Sequence, residues 1–425
     1  MERLIVRGGR RLHGTVRVAG NKNAAGPALA AALLSDEPVR LHNVPRIGDV
    51  DVFAELLCRL GVEIERTGEG DIAACAGRVS SGRVDPQLGR RIRMSLLVAG
   101  PLLARLGHAE LPPPGGDVIG RRRIDTHLLA LQALGAKADA SRDGYRLSAA
   151  RLRGAEILLD EMSVTATENV LLAAVRAEGR TVIRNAASEP HVQDLCALLN
   201  AMGARITGVG TNCLVIDGVD QLHGTEFAIG PDYLEVGSFI GLAAVTRSAL
   251  RIANCRPNEH GMTRIMFNRL GVDWRVDGND IVVPDDQLLT VVDDQGHAVP
   301  KIDDAPWPGF PADLISIATV IATQARGAVL IHEKLFESRL FFVDRLIAMG
   351  ARIVLCDPHR AVVIGPSPLY GQALVSPDIR AGMALLIAAL CAAGESVIDN
   401  VQQIDRGYEQ IEERLVALGA DVRRV

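Results

Sequence analysis

Six stretches of the sequence are apolar nearly all round and rich in Ala and Gly, yet each begins with polar residues that a buried segment does not want. The beginnings read Asn21-Lys22-Asn23; Arg91, Arg93 and Ser95; Ser163-Val164-Thr165; Asp232 and Glu235; Asp313; and Asp378 and Arg380. If the stretches are helices, their N-termini expose unpaired N–H groups and the positive end of the helix dipole, so several converging would bind an anion without a dedicated loop. Ser163, Asp232, Asp313 and Asp378 can each be read as an ordinary N-cap. Lys22, Arg93 and Arg380 cannot, because a cation beside a helix N-terminus is unfavourable unless an anion sits between them. The segment LPPPGGDVIGRRRIDTH, residues 111–127, is the second unusual feature. Its Pro-Pro-Pro-Gly-Gly run fits neither helix nor central strand and predicts an exposed, mobile connection over about residues 111–124, of the kind used as an active-site lid. It carries one carboxylate, Asp117, ahead of Arg121, Arg122 and Arg123; a plain solvated turn is the competing reading. His127 beside it is a candidate for lining a site, whereas His42, His223 and His297 read as structural or surface residues.

The elements that must position these residues repeat. A hydrophobic residue, Gly and a small apolar residue recur around Gly61, Gly135, Gly203, Gly271, Gly350 and Gly419, with spacings of 74, 68, 68, 79 and 69 residues. Six units of about 70 residues therefore account for the chain. Each has a short β-rich run, a polar turn and an amphipathic helix before the Gly; Val52, Phe53, Leu56, Leu57 and Leu60 share one face in the first. The Gly suits a left-handed C-cap and the alternating run after it a strand. Each unit's second helix is the all-round apolar kind, as in RMSLLVAGPLLARL and GMALLIAALCAAG. The fold class expected is α/β: an inside-out α/β barrel of six repeated units in two pseudo-threefold domains, helices buried and sheets outside. One domain is expected over residues 21–230, with the lid, and the other from 1–20 plus 231–425, with the active site in the cleft between them.

Composition narrows the function. Of 425 residues, 48% are hydrophobic and 3% aromatic, and the net charge is −5, so neither a nucleic acid nor an anionic membrane is an expected partner. The apolar run Met383 to Gly394 is 12 residues, too short to span a bilayer. The opening MERLIVRGGRRLHG has no apolar signal stretch, and a cytoplasmic location is expected. Seven scattered cysteines without CxxC spacing read as reduced, buried thiols. GVGTNC, residues 208–213, lacks the third glycine of a dinucleotide fingerprint; GxxxxGK[ST] and HExxH are missing, and the ten histidines show no ligand spacing.

Nine segments in order, GNKNAA, RMS, PGGDVIGRRRIDTH, SVTATEN, NAASEP, GFPADL, FESR, DIRAG and QIDRGYEQIEE, resemble the enolpyruvyl transferases that act on UDP-N-acetylglucosamine. The resemblance implies that phosphoenolpyruvate gives its enolpyruvyl group to the sugar 3-hydroxyl through a tetrahedral ketal that then loses phosphate, the first committed step of peptidoglycan precursor synthesis. It implies Asp117 as the general acid and Asp313 as the group that orients or deprotonates the acceptor hydroxyl. Lys22, Arg122 and Arg406, with Arg380 beside them, would hold phosphate and carboxylate. Asn23, Arg93, Arg122, Arg123, Ile124, Asp125, Thr126, Glu161, Met162, Ser163, Val164 and Leu335 match contacts to the nucleotide sugar. No metal and no organic cofactor is implied. The chain departs from the pattern at Asp117, where most members have Cys, at GNKN for GAKN, at Arg123 for Pro, at Thr165 for Gly, and at Trp307 before PGFPAD. Arg123, Thr165 and Trp307 bear on the acceptor, so two other readings stand beside the first: enolpyruvyl transfer to a different uridine nucleotide in a specialised pathway, and a non-catalytic paralogue that binds nucleotide sugar.

Overall fold

All six repeat glycines adopt left-handed backbone, with φ of 102° at Gly61, 95° at Gly135, 99° at Gly203, 75° at Gly271, 110° at Gly350 and 97° at Gly419. Gly61 shows why the residue is required: it caps the helix Gly48–Leu60, its N–H bonds back to the Cys58 and Leu57 carbonyls, and an added Cβ would lie 3.0 Å from the Arg78 carbonyl oxygen. A strand follows each glycine: Glu63–Gly68, Lys137–Ser141, Arg205–Thr207, Arg275–Asp277, Arg352–Asp357 and Asp421–Arg424.

The computed structural model describes residues 2–425 and divides into two units. One comprises Gly20–Gly116 and Arg122–Gly230; the other comprises the chain up to Ala19, Asp117–Arg121 and Pro231–Val425. The tip of the Pro-Gly loop thus groups with the second unit, while the residues on either side of it group with the first. Both units are mixed α/β, and each holds three sheets.

In the first unit the helices Lys22–Ala31, Ala99–Leu106 and Val164–Ala174 lie in a core that also takes the inner faces of the strands. In the second, Tyr233–Val245, Ile315–Gln324 and Ile379–Cys391 pack on one another and are buried along almost their whole length. Strands such as Arg180–Arg184 and Glu395–Asp399 bury alternate residues, which places the apolar half of each against the helices. The N-terminal strand Arg3–Arg7 runs antiparallel between Glu395–Asp399 and Asp421–Arg424, pairing Ile5 with Val397 and with Arg423. His13–Arg17 joins a second sheet parallel to Ala249–Ala253.

Two expected helices begin differently. RMSLLVAGPLLARL opens as a 3₁₀ segment, Arg93–Val98, before the α-helix Ala99–Leu106. The cause is Asn169: its side-chain N–H₂ donates to the Leu96 carbonyl at 2.7 Å and its Oδ1 accepts the Gly100 N–H at 2.6 Å, so one amide occupies both halves of an i,i+4 bond. Ala312–Leu314 is likewise a 3₁₀ turn ahead of Ile315–Gln324. The cysteines are all free thiols, but only Cys196 and Cys255 are buried, and Cys58 and Cys356 are exposed, because both occupy outward positions of amphipathic elements. Among the described residues no helix is long and apolar enough to cross a membrane.

Candidate active site

The polar helix starts fall into one group in each unit. In the first unit Lys22 opens its helix behind the Asn21 cap, whose side chain accepts the Asn23 N–H at 2.8 Å. The Lys22 ammonium is almost fully buried and meets the equally buried Asp49 carboxylate at 2.8 Å. The anion that a cation at this helix start demands is thus present as a side chain. Asp49 escaped the sequence reading, although a signal existed: it lies on the stripe that continues through Phe53, Leu56 and Leu60, an odd place for a charge.

Arg93 projects to the loop after Gly116. Its guanidinium donates to the carbonyls of Arg122 at 3.2 Å and Arg123 at 2.9 Å, fixing the backbone of the basic run. Burial, with Arg122 nearby, lowers its pKa to about 10, so it stays charged at neutral pH. Arg123 pairs with Asp125 at 3.0 Å and Asp160 at 2.9 Å, and Thr126 donates to Asp160 at 2.7 Å. Ile124 precedes the helix Asp125–Ala133 and is partly buried. Ser163 caps Val164–Ala174, and its own N–H donates to the Glu161 carbonyl at 2.7 Å. Met162 and Val164 pack against the core while Glu161 is exposed.

His127 is buried beside this group and its pKa falls to about 3, because burial penalises the cation and Arg93 repels it. The ring is therefore neutral. Asn169 donates to Nδ1 at 3.1 Å, so the hydrogen resides on Nε2 and points at the Thr165 hydroxyl 3.0 Å away. Asn169 was missing from the sequence reading; as a polar residue inside an apolar helix it was visible in principle.

In the second unit Asp313 is the hub. It caps neither its own 3₁₀ turn nor the following helix, unlike Ser163, Asp232 and Asp378, each of which accepts N–H bonds at a helix start. Its two oxygens instead accept from Arg339 at 2.5 Å and from Arg380 Nε at 3.0 Å, both guanidiniums being nearly inaccessible to solvent. Burial disfavours the charge on Arg380, but Asp313 and the Tyr408 hydroxyl 3.4 Å away outweigh it and push its pKa far up. Arg339 behaves alike: burial opposes its charge, and Asp313 and Asp378 restore it. Arg339 was not singled out in the sequence, where it reads as the end of FESR.

Asp117 and Arg406 form an ion pair at 2.6 Å, and Arg406 also donates to Gln403 at 2.6 Å. Burial raises the pKa of Asp378; Arg339 offsets part of this and the Asp117 charge adds to it, so Asp117, Asp378, Arg339 and Asp313 form one electrostatic chain. Leu335 exposes its side chain, while its N–H donates to Asp304 at 3.2 Å and Glu333 at 3.3 Å. Trp307, expected near the acceptor, packs its ring edge-on to buried Tyr233, 5.7 Å between centroids. Glu235 is bound by Arg414 at 2.5 Å and the Ala19 N–H at 2.8 Å, which gives it a structural role. Among the described residues no group of three or more His, Cys, Asp or Glu is placed to hold a metal ion. The second unit thus offers one carboxylate on a loop, a second held by two guanidiniums, and three buried or half-buried cations in Arg339, Arg380 and Arg406, the equipment for moving protons around a multiply charged anion.

Comparison with known proteins agrees with that chemistry. Residues 6–415 match the family described as EPSP synthase (3-phosphoshikimate 1-carboxyvinyltransferase). The UDP-N-acetylglucosamine 1-carboxyvinyltransferase of Treponema denticola is 56% identical over 422 residues, covering 99% of both chains. That of Bradyrhizobium diazoefficiens is 57% identical over 421 residues, 99% of this chain and 97% of the relative. Among solved structures, the enolpyruvyl transferase NikO from Streptomyces tendae superposes with a TM-score of 0.88 at 27% identity, over 100% of this chain and 99% of NikO. The chain accordingly belongs to the enolpyruvyl (1-carboxyvinyl) transferase family of EPSP synthase, in the group of the UDP-N-acetylglucosamine 1-carboxyvinyltransferases.

Proposed function

We propose that this protein transfers the enolpyruvyl group of phosphoenolpyruvate to the 3-hydroxyl of UDP-N-acetylglucosamine, releasing phosphate, in the cytoplasm and at the first committed step of peptidoglycan precursor synthesis. The observation that carries the proposal is identity of 56–57% over 99% of the chain with enzymes named for that reaction. In this reading each unit is three copies of the repeat closed about a pseudo-threefold axis, an inside-out barrel.

In the addition step a proton goes to the methylene carbon of phosphoenolpyruvate and the sugar oxygen bonds to its central carbon, giving a tetrahedral phosphoketal. In the elimination a proton leaves the new methyl group and the C–O bond to phosphate breaks. Asp117 is the proton donor. Its partner Arg406 is the cation for the anionic substrate, and an anion that takes over Arg406 frees Asp117 from its ion pair. Asp313, oriented by Arg339 and Arg380, receives the acceptor hydroxyl. Lys22, Arg122 and Arg380 share the phosphate and carboxylate with Arg406, and their charges stabilise the ketal more than the separate substrates. Asn23, Arg93, the stretch Arg122–Thr126, Glu161–Val164 and Leu335 form the nucleotide-sugar side.

The test is phosphate release from phosphoenolpyruvate with a panel of uridine nucleotides. Turnover with UDP-N-acetylglucosamine far above the others is expected. Turnover only with another nucleotide moves the assignment to the second reading, and binding without release to the non-catalytic one. The second reading has one structural observation in its favour: Arg123 and Thr165, the two departures on the sugar side, are tied to Asp125, Asp160 and His127.

A further inference from the structure

We propose that the turn Glu337-Ser338 is the dock of the loop that carries Asp117, with Glu337 a positioning residue for that carboxylate. Four observations within one unit converge on this turn. The Ile119 side chain is only 3% exposed, whereas its neighbour Val118 is 93% exposed, so the loop tip is anchored by a single apolar residue. The Ser338 N–H donates to the Ile119 carbonyl at 3.1 Å. The Arg121 N–H donates to Glu337 Oε2 at 3.0 Å. Between them Gly120 has φ of +127°, and a Cβ there would lie 2.1 Å from Glu337 Oε2 and 2.9 Å from the Glu337 nitrogen. The carboxylate thus fills the space that only glycine leaves open.

Backbone N–H bonds, from Glu337 itself and from Arg121, hold the Glu337 carboxyl below its usual range and keep it an acceptor at neutral pH. Asp117 stands three residues before Gly120 in its pair with Arg406, and Arg339, two residues after Glu337, grips Asp313. One short segment therefore touches both the loop of the proton donor and the carboxylate proposed for the acceptor hydroxyl. With the dock intact Asp117 is held at Arg406; with it broken the loop swings out and the backbone at its three arginines is free to extend into a protease. The catalytic meaning of the dock rests on the role proposed for Asp117, but its existence does not.

Trypsin reads the dock without substrate, since Arg121, Arg122 and Arg123 lie in the loop itself. In the full-length protein, Glu337→Ala is expected to raise the cleavage rate after these residues about three- to tenfold, the effect of losing one solvent-exposed hydrogen bond. Cleavage elsewhere should be unchanged. Glu337→Gln, whose amide oxygen still accepts the Arg121 N–H, should keep most of the protection, and Gly120→Ala should lose it. In the activity assay kcat should fall for Glu337→Ala and recover in Glu337→Gln. Wild-type cleavage of the loop in Glu337→Ala, acceleration spread evenly over the chain, or a Gln variant as open as the Ala variant would each overturn the dock. Loop-specific protection in a protein that releases no phosphate would instead retain the dock and refute the proposed reaction.

Discussion

Replacing Arg339 by Met separates orientation of Asp313 from its mere presence. Arg339 donates one of the two hydrogen bonds that fix the Asp313 carboxylate, at 2.5 Å, and Arg380 the other, at 3.0 Å. Met matches the length and apolar stem and removes the charge. Breaking a buried pair by deleting one partner costs ~3–5 kcal/mol when the other charge is left alone. Here Asp313 keeps Arg380, and Glu333 on the far side is a neutral acid at neutral pH, its pKa pushed up to about 9 by burial and by Asp304. The stability loss should therefore be nearer ~2–3 kcal/mol, the range of a charged hydrogen bond, readable as a shift in the denaturant midpoint. Catalysis should suffer more. A carboxylate held by one guanidinium rather than two can swing by about 1 Å, which costs on the order of 10²-fold in rate. Phosphate release at saturating substrates should show kcat down by that order with KM for either substrate changed only a few-fold. Arg339→Lys, which returns the charge without the fork, should recover part of kcat. A Met variant that turns over at the wild-type rate would refute the claim that Asp313 must be held in place. So would a loss of kcat no larger than the loss of folded protein.

Asp117→Cys should stay active and become sensitive to an epoxide that mimics phosphoenolpyruvate, whereas the wild type resists alkylation because a carboxylate is a poor nucleophile; Asp117→Asn, which gives up no proton, should lose most activity, and mass spectrometry of the treated proteins checks both. Lys22→Ala and Asp49→Ala should each destabilise by ~3–5 kcal/mol, since each removes one member of a buried ion pair; a Lys22→Met, Asp49→Leu double variant should regain much of the stability and none of the turnover, which a double-mutant cycle in denaturant measures. Glu333 has its folded pKa raised to about 9, so the folded state holds the extra proton and stability is lost as pH rises from about 4.5 to 9; the Tm advantage of Glu333→Gln over wild type should grow across that window, and parallel profiles would contradict it. His127 and His260, lowered to about 3 and about 4, act in the opposite direction, and stability should fall as pH drops below about 6.5.

Local patterns in this chain were readable and long-range pairings were not. The glycines at 61, 135, 203, 271, 350 and 419 announced themselves because a left-handed helix end admits few other residues, and all six have positive φ. The all-round apolar helices were equally plain, because nothing but a core explains them. Asp313 could not be told from an N-cap by its position, since the distinction lies in Arg339 and Arg380, 26 and 67 residues away. Asp49 opposite Lys22 and Asn169 between Leu96 and Gly100 were missed for the same reason: a side chain's partner is set by tertiary packing, which spacing along the chain does not encode. A cation at a helix start demands an anion, and Lys22 and Arg380 already meet one in Asp49 and Asp313.

Enolpyruvyl transfer by addition and elimination to the sugar 3-hydroxyl leaves an isotopic signature. Running the reaction with phosphoenolpyruvate and UDP-N-acetylglucosamine in deuterium oxide, and reading the product by proton NMR, tests it most directly. A proton added to the methylene carbon and another removed from the resulting methyl group must leave solvent deuterium at the vinyl position, and the new ether must appear at the sugar 3-oxygen as phosphate is released. Deuterated enolpyruvyl ether at that oxygen is the result predicted; an unlabelled vinyl group, or phosphate released with the sugar unchanged, would contradict the account.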